Sequence, residues 1–122
     1  MKKNTTLENP RKYQLLSTAD FEDTIIKNQE PVVIIFVSEW SGNADIMDGI
    51  IERLSQEFEF NSELHFFRVD IEKQPKFSEF FGITTVPSII MVNEGEVVEC
   101  IKGFESAAKL REKIKEVYAD FF

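Results

Sequence analysis

The side chains that could carry chemistry are few and far apart in this sequence. It holds one cysteine, Cys100, and one histidine, His65, among 122 residues. A nucleophilic side chain needs a base within hydrogen-bond reach, and a metal site needs several ligands close together. Cys100 and His65 lie on different predicted strands, and the carboxylates are scattered along the chain. The sequence therefore predicts neither a catalytic dyad nor a metal site.

Cys100 has two interpretations. On the second strand of a predicted hairpin it is most simply a small, half-buried apolar residue. A reactive thiol needs exposure and a lowered pKa, and the neighbouring Glu99 disfavours a thiolate. A single cysteine also cannot form an internal disulfide, which suits a reducing compartment. We expect a packing role for Cys100, with a reactive thiol as the alternative.

Length and charge exclude several classes of protein. A chain of 122 residues has room for one compact domain and none for a separate cofactor domain. Its 14 Lys and Arg against 22 Asp and Glu give a net charge of −8, which disfavours nucleic acid and anionic membranes as partners. No apolar run approaches the roughly 18 residues of a spanning helix. We expect a soluble, cytoplasmic protein without a cofactor, with a flexible segment at residues 1–10 and a single domain at residues 11–122.

Hydrophobic periodicity predicts alternating strands and helices. Residues 31–37 are continuously apolar, as in a strand buried on both faces, and residues 42–60 carry apolar side chains at helical spacing. Residues 93–95 separate two apolar runs and indicate a hairpin turn with a glycine at a positive φ. The predicted order is β-α-β-α-β-α-β-β-α. The remaining elements are a strand at 13–16, a helix near 18–28 capped by Ser17, a strand at 64–70, a short helix before Gly82, hairpin strands at 88–92 and 96–101, and a last helix opened by Ser106.

This order and four groups of residues resemble the thioredoxin family, from about Leu15 to Tyr118. The resemblance implies an α/β thioredoxin fold, with a central mixed sheet of four to five strands and helices on both faces. The residues that carry the resemblance are Val33 to Trp40, Val86-Pro87-Ser88, Asn93-Glu94-Gly95-Glu96 and Lys102-Gly103.

The resemblance breaks at the redox motif. Thioredoxins have Trp-Cys-Gly-Pro-Cys between the central strand and the long helix, and the matching residues here are Trp40-Ser41-Gly42-Asn43-Ala44. Disulfide exchange needs an attacking thiolate and a resolving thiol, and neither Ser41 nor Ala44 supplies one. The family's buried Asp aligns with Ile35. The resemblance thus implies a divergent, redox-inactive member with no catalytic residues.

Two polar residues near the motif have simple interpretations. Of a helix cap and a serine nucleophile, we expect Ser41 to be the cap, because the resemblance places His65, the one possible histidine base, on a strand at the sheet edge, away from the motif. The resemblance places Arg68 close to where family members have a lysine beside the buried Asp, and we expect its charge either to extend to solvent or to meet a nearby carboxylate.

The binding half of the family site is retained. Thr85-Val86-Pro87-Ser88 matches the family's cis-proline loop, whose backbone can pair with an extended peptide. The resemblance implies a groove that binds a protein or peptide, or a second copy of the chain. Its predicted binding residues are Trp40, Gly42, Asn43, Val86, Pro87 and Phe104.

Two other functions stay open. The chain could act in thiol chemistry through Cys100, as a thiol-disulfide oxidoreductase of the family. It could also be a structural domain whose groove is filled by its own side chains, in which case Trp40 would be buried.

Overall fold

A computed structural model describes residues 13–40, 42, 44–58 and 63–121. The predicted segment at residues 1–10 and the predicted site residues Ser41 and Asn43 lie outside these ranges. The elements follow the predicted order. They are β1 Gln14–Leu15, α1 Thr18–Asp20 continued by a π-helical turn at Phe21–Lys27, β2 Val32–Val37, α2 Ala44–Phe58, β3 His65–Asp70, α3 Pro75–Phe80, β4 Ser88–Asn93, β5 Glu96–Lys102 and α4 Ala107–Val117.

The strands form one five-stranded mixed sheet in the order β1-β3-β2-β4-β5. Strands β1, β2 and β3 run parallel, and β4 and β5 are antiparallel to their neighbours. The parallel pair β2–β3 is connected through α2, which is the crossover that parallel strands require. This confirms the predicted α/β class and the predicted central mixed sheet of four to five strands.

The central strand β2 is fully buried because both of its faces are covered. Val33, Ile35 and Val37 face a cluster completed by α2 and α4, and Ile34 and Phe36 face a second cluster on the other side. Each residue of β2 has no solvent exposure. Burial on both faces explains why the strand reads as a continuous apolar run instead of an alternating one.

The first helix differs from the prediction in its winding. After one α-helical turn, residues 21–27 form a π-helix, and the Asn28 N–H donates to the carbonyl of Asp23, five residues back. Ser17 caps the start, since its hydroxyl accepts a hydrogen bond from the Asp20 N–H. Over so short a segment, α and π windings both place Phe21 and Ile25 on the buried side, so apolar spacing could not separate them.

The β4–β5 hairpin turns at Glu94 and Gly95, which both have positive φ, at 55° and 79°. A two-residue turn with positive φ at both positions matches the twist of the flanking strands. A glycine was predicted here, but the left-handed backbone of Glu94 was not. The register between β4 and β5 shifts at Met91 and Val92, which marks a β-bulge.

The residue after α4 closes the core. Tyr118 has no solvent exposure, and its hydroxyl donates to the carbonyl oxygens of Val32 (2.7 Å) and Val92 (3.1 Å). These carbonyls belong to neighbouring strands, β2 and β4. One hydroxyl therefore ties the end of α4 to the centre of the sheet.

Candidate functional site

Three loops meet at one end of the sheet. Phe36 near the end of β2 pairs with Ser88 at the start of β4, and Ser88 pairs with Lys102 at the end of β5. The residues after β2, before β4 and after β5 must therefore be neighbours. The predicted binding residues Trp40, the Val86–Pro87 loop and Phe104 lie on these three segments.

The aromatic side chains of this end are open to solvent. Trp40 is 83% exposed and Phe104 is 47% exposed, which is high for large apolar residues in a domain with a well-filled core. Gly42 is also exposed, Val86 is half-buried, and Pro87 is buried at the base. The loop end of the sheet thus presents apolar surface around a buried proline.

The Val86–Pro87 peptide bond is cis. The Pro87 carbonyl accepts a hydrogen bond from the Gly103 N–H at 2.8 Å, and the Ser88 hydroxyl donates to the Thr85 carbonyl at 2.5 Å. These bonds fix the loop on both sides of Val86. Among the described residues, the Val86 backbone itself makes no hydrogen bond, so its polar groups are available to another chain.

A hydrogen-bond network holds the turn that carries Trp40. Ser38 is only 5% exposed. Its hydroxyl donates a hydrogen bond to the Glu72 carboxylate at 2.6 Å and accepts one from the Trp40 N–H at 3.2 Å. Glu72 follows Asp70, whose buried carboxylate accepts the backbone N–H of Glu72 at 3.0 Å. Sequence reasoning missed Ser38 and Glu72, because no local pattern links residues 34 positions apart.

At the redox-motif positions the structure describes only part of the segment. Gly42 is exposed and α2 begins at Ala44. Ile35, which the sequence resemblance matches to the family's buried Asp, has no solvent exposure and pairs with Arg68 on β3 and Ile89 on β4. An ionised carboxylate at this buried position would carry a large desolvation cost, which an isoleucine avoids.

Arg68 meets a carboxylate, the second of the two expectations for its charge. Its Nε lies 3.1 Å and 3.2 Å from the two oxygens of Asp48 on α2, and the Tyr13 hydroxyl donates to the same carboxylate at 2.6 Å. Burial, followed by the hydrogen bond to Asp48, holds the pKa of Tyr13 well above its ordinary value. This cluster joins the segment before β1, α2 and β3 beside Ile35, and it positions α2 over the sheet.

Cys100 is exposed, so the expectation of a half-buried residue is wrong. It pairs with Ile90 on the sheet face covered by α1 and α3. The core cluster on that face includes no residue of β5, so the helices do not reach the edge strand. Ile101, on the opposite face, does pack against the core beside α4.

His65 lies at the start of β3, at the opposite end of the sheet from Trp40. It pairs with Val32, and its ring contacts the Glu30 carboxylate. The expectation that its strand forms the sheet edge is wrong, because β1 pairs with Phe67 and Arg68 and takes the edge position. In the described parts of the chain, no group of three or more acidic, histidine or cysteine side chains could hold a metal ion.

Comparison with known proteins agrees with this architecture. A family model described as Thioredoxin matches residues 12–116. The chain belongs to the thioredoxin family. A mutant thioredoxin from Halobacterium salinarum shares the fold, with a TM-score of 0.74 and 17% identity over 88% of this chain and 92% of that one.

Curated relatives differ in how much of them this chain spans. It is 27% identical over 94 residues to a thioredoxin from Rickettsia bellii, covering 77% of this chain and 88% of the relative. It is 28% identical over 86 residues to a monothiol glutaredoxin from Arabidopsis thaliana, covering 70% of this chain but 17% of the relative. It likewise spans 49% of a chloroplast M-type thioredoxin from Brassica napus, at 26% identity over 73% of this chain. None of the helices that the structure describes is long and apolar enough to cross a membrane.

Proposed function

We infer that this chain is a redox-inactive thioredoxin-family protein that holds an extended polypeptide segment, as a chaperone, assembly factor or scaffold does. The observation that carries the proposal is the exposure of Trp40 at the end of the sheet that also presents the Val86 backbone and Phe104. Exposed aromatic side chains around unpaired backbone groups are what strand addition uses for affinity and specificity.

The chain's own composition supports binding without dithiol chemistry. Exchange through a mixed disulfide needs a second thiol to resolve it, and this chain has one cysteine. The motif positions that hold cysteines in thioredoxins correspond here to Ser41 and Ala44. With Ile35 at the position that the resemblance matches to the family's buried Asp, that position offers no carboxylate for proton transfer.

The partner is a protein segment that is apolar at its centre and not strongly acidic. Its backbone would pair with Val86, and its side chains would contact Trp40 and Phe104. A net charge of −8 repels acidic partners. The same surface could hold a second copy of this chain, a variant in which binding and self-association share one site.

The test uses short random peptides displayed on phage, selected on the immobilised protein with reductant present so that Cys100 cannot trap them. The affinity of an enriched, fluorescently labelled peptide is then measured by anisotropy. We expect Trp40→Ala to raise Kd by about thirtyfold or more, as for the loss of a central aromatic contact, while the thermal midpoint stays nearly unchanged. Phe80→Ala is the matched control, because Phe80 is 65% exposed but lies on α3. Equal binding by the wild type and Trp40→Ala would refute the proposal.

The exposure of Cys100 favours a second candidate, thiol chemistry through mixed disulfides with another protein or with glutathione. Its test is the rate at which Cys100 reacts with a disulfide reagent as pH rises, compared with free cysteine, together with reduction of a disulfide substrate with dithiothreitol as donor. This candidate is refuted if Cys100 reacts with the reagent no faster than free cysteine does and the protein fails to reduce the disulfide substrate.

The third candidate, a structural domain with a self-filled groove, needs a buried Trp40. The side chain's 83% exposure weighs against it. That candidate expects Trp40→Ala to destabilise the fold by about 3–5 kcal/mol, whereas the binding proposal expects almost no loss. Thermal unfolding of the same variant separates the two.

A further inference from the structure

We propose that Ser38 and Glu72 are positioning residues, which set the conformation of Trp40 for binding through a hydrogen-bonded bridge between two loops. This inference rests on the proposed function, because it concerns how the binding surface is arranged before a partner arrives. Neither residue belongs to the surface predicted from the sequence, and neither needs to contact the partner.

The first step is the geometry of Ser38. It is the residue directly after β2, and its hydroxyl uses both of its hydrogen-bonding roles. It donates to the Glu72 carboxylate at 2.6 Å and accepts from the Trp40 N–H at 3.2 Å. A hydrogen bond from a hydroxyl to a carboxylate is charge-assisted. Such bonds are shorter and stronger than hydrogen bonds between neutral groups. The turn that ends at Trp40 is thus held by the hydroxyl of one nearly buried residue.

The second step is that Glu72 is itself fixed. Its backbone N–H donates to the Asp70 carboxylate, and the N–H of Lys73 donates to the same oxygen at 3.3 Å. The Ile71 N–H donates to the Val37 carbonyl at 2.9 Å, which joins the same two loops one residue earlier. The bridge therefore connects Trp40 to β3 through a Glu72 side chain whose own loop is held by backbone hydrogen bonds.

The third step is the consequence for Trp40. An 83% exposed indole has little packing to hold it, so its orientation depends on the backbone that carries it. Fixing that backbone before binding removes part of the ordering cost of association, which is how preorganised sites gain affinity. The exposed ion pair between Lys73 and Glu39, at 3.7 Å, joins the same loops, but it is separate from the hydrogen bonds of the Ser38 hydroxyl to Glu72 and to the Trp40 N–H.

The experiment uses Trp40 itself as the probe, because it is the only tryptophan in the chain. Fluorescence anisotropy of the free protein is compared for the wild type, Ser38→Ala, Glu72→Ala, Ser38→Thr and Lys73→Ala. We expect lower anisotropy in Ser38→Ala and Glu72→Ala, recovery in Ser38→Thr, which keeps the hydroxyl, and no change in Lys73→Ala. Far-UV circular dichroism confirms that each variant is folded. Unchanged anisotropy in Ser38→Ala would overturn the proposal.

The second measurement links position to binding. With the peptide selected on the wild type, Ser38→Ala should raise Kd by about two- to tenfold, the range of one lost hydrogen bond, with Ser38→Thr close to wild type. Failure of the proposed function gives a different result, because Trp40→Ala would then bind the peptide as well as the wild type. If Trp40→Ala loses binding and Ser38→Ala does not, the surface is right and the positioning role is wrong.

Discussion

Replacing Tyr118 with phenylalanine isolates the bond that joins the end of α4 to the sheet. The substitution keeps the buried ring and removes only the hydroxyl, which donates to the carbonyls of Val32 and Val92. Both strand residues are buried, at 0% and 1% exposure, so water cannot replace the lost donor. Leaving a buried acceptor without its partner costs about 1–3 kcal/mol.

That free energy converts into a clear thermal shift. A chain of 122 residues unfolds with an entropy of about 0.26 kcal/mol/K, so we expect Tyr118→Phe to lower the thermal midpoint by about 4–12 °C. Tyr118→Ala also removes the ring, and we expect it to lower the free energy of unfolding by about 3–5 kcal/mol. The difference between the two variants reports the contribution of the buried ring.

Urea unfolding followed by far-UV circular dichroism is the appropriate assay. Tryptophan fluorescence is a poor reporter of the core here, because Trp40 is already exposed in the folded protein. A free energy of unfolding for Tyr118→Phe within about 0.5 kcal/mol of wild type would refute this reasoning, because a loss that small is typical of substitutions at the protein surface.

Two pH-dependent predictions follow from the same kind of reasoning. Burial raises the pKa of both tyrosines, Tyr13 and Tyr118, so their stabilising effect is complete below about pH 10 and is lost as pH rises above it. We expect the urea midpoint to fall between pH 9 and 11, and to fall less steeply in a Tyr13→Phe/Tyr118→Phe variant; equal slopes would contradict this. At the acid side, the Arg111 hydrogen bond lowers the pKa of Glu57, so the contribution of this pair is present above the ordinary glutamate pKa and is lost as pH falls through it. The small stability difference between wild type and Arg111→Gln should therefore shrink below about pH 4 and in high salt, and a difference that persists under both conditions would show that the pair does not act through charge.

The fold could be predicted because its elements depend on local patterns. The apolar run of β2 and the periodicity of α2 each report burial directly, and Ser106 caps α4 through the Lys109 N–H, as its position suggested. The aromatic and proline positions of the candidate site were found through resemblance, because they occupy fixed places relative to those elements.

What the sequence did not predict depends on tertiary contacts. Ser38 and Glu72 are joined only when β3 lies beside β2, so no spacing could have indicated the bridge. The exposure of Cys100 depends on how far the helices extend over β5. The alternation of apolar and polar residues within one strand does not reveal that extent. The π winding after α1 could not be predicted, because apolar spacing over seven residues does not distinguish a π-helix from an α-helix.

The bulge at Met91 and Val92 affects how this protein behaves when crowded with copies of itself. Strand β5 is a seven-residue sheet edge that exposes Val97 and Val98, and a flat edge of this kind can seed growth of a cross-β fibre. The bulge breaks the regular alternation of the edge, and Glu96, Glu99 and Lys102 add charges along it. The same distortion that shapes the hairpin therefore protects the open side of the sheet from unwanted polymerisation, so the chain can keep apolar surface at its loops without its sheet edge becoming a second point of attachment.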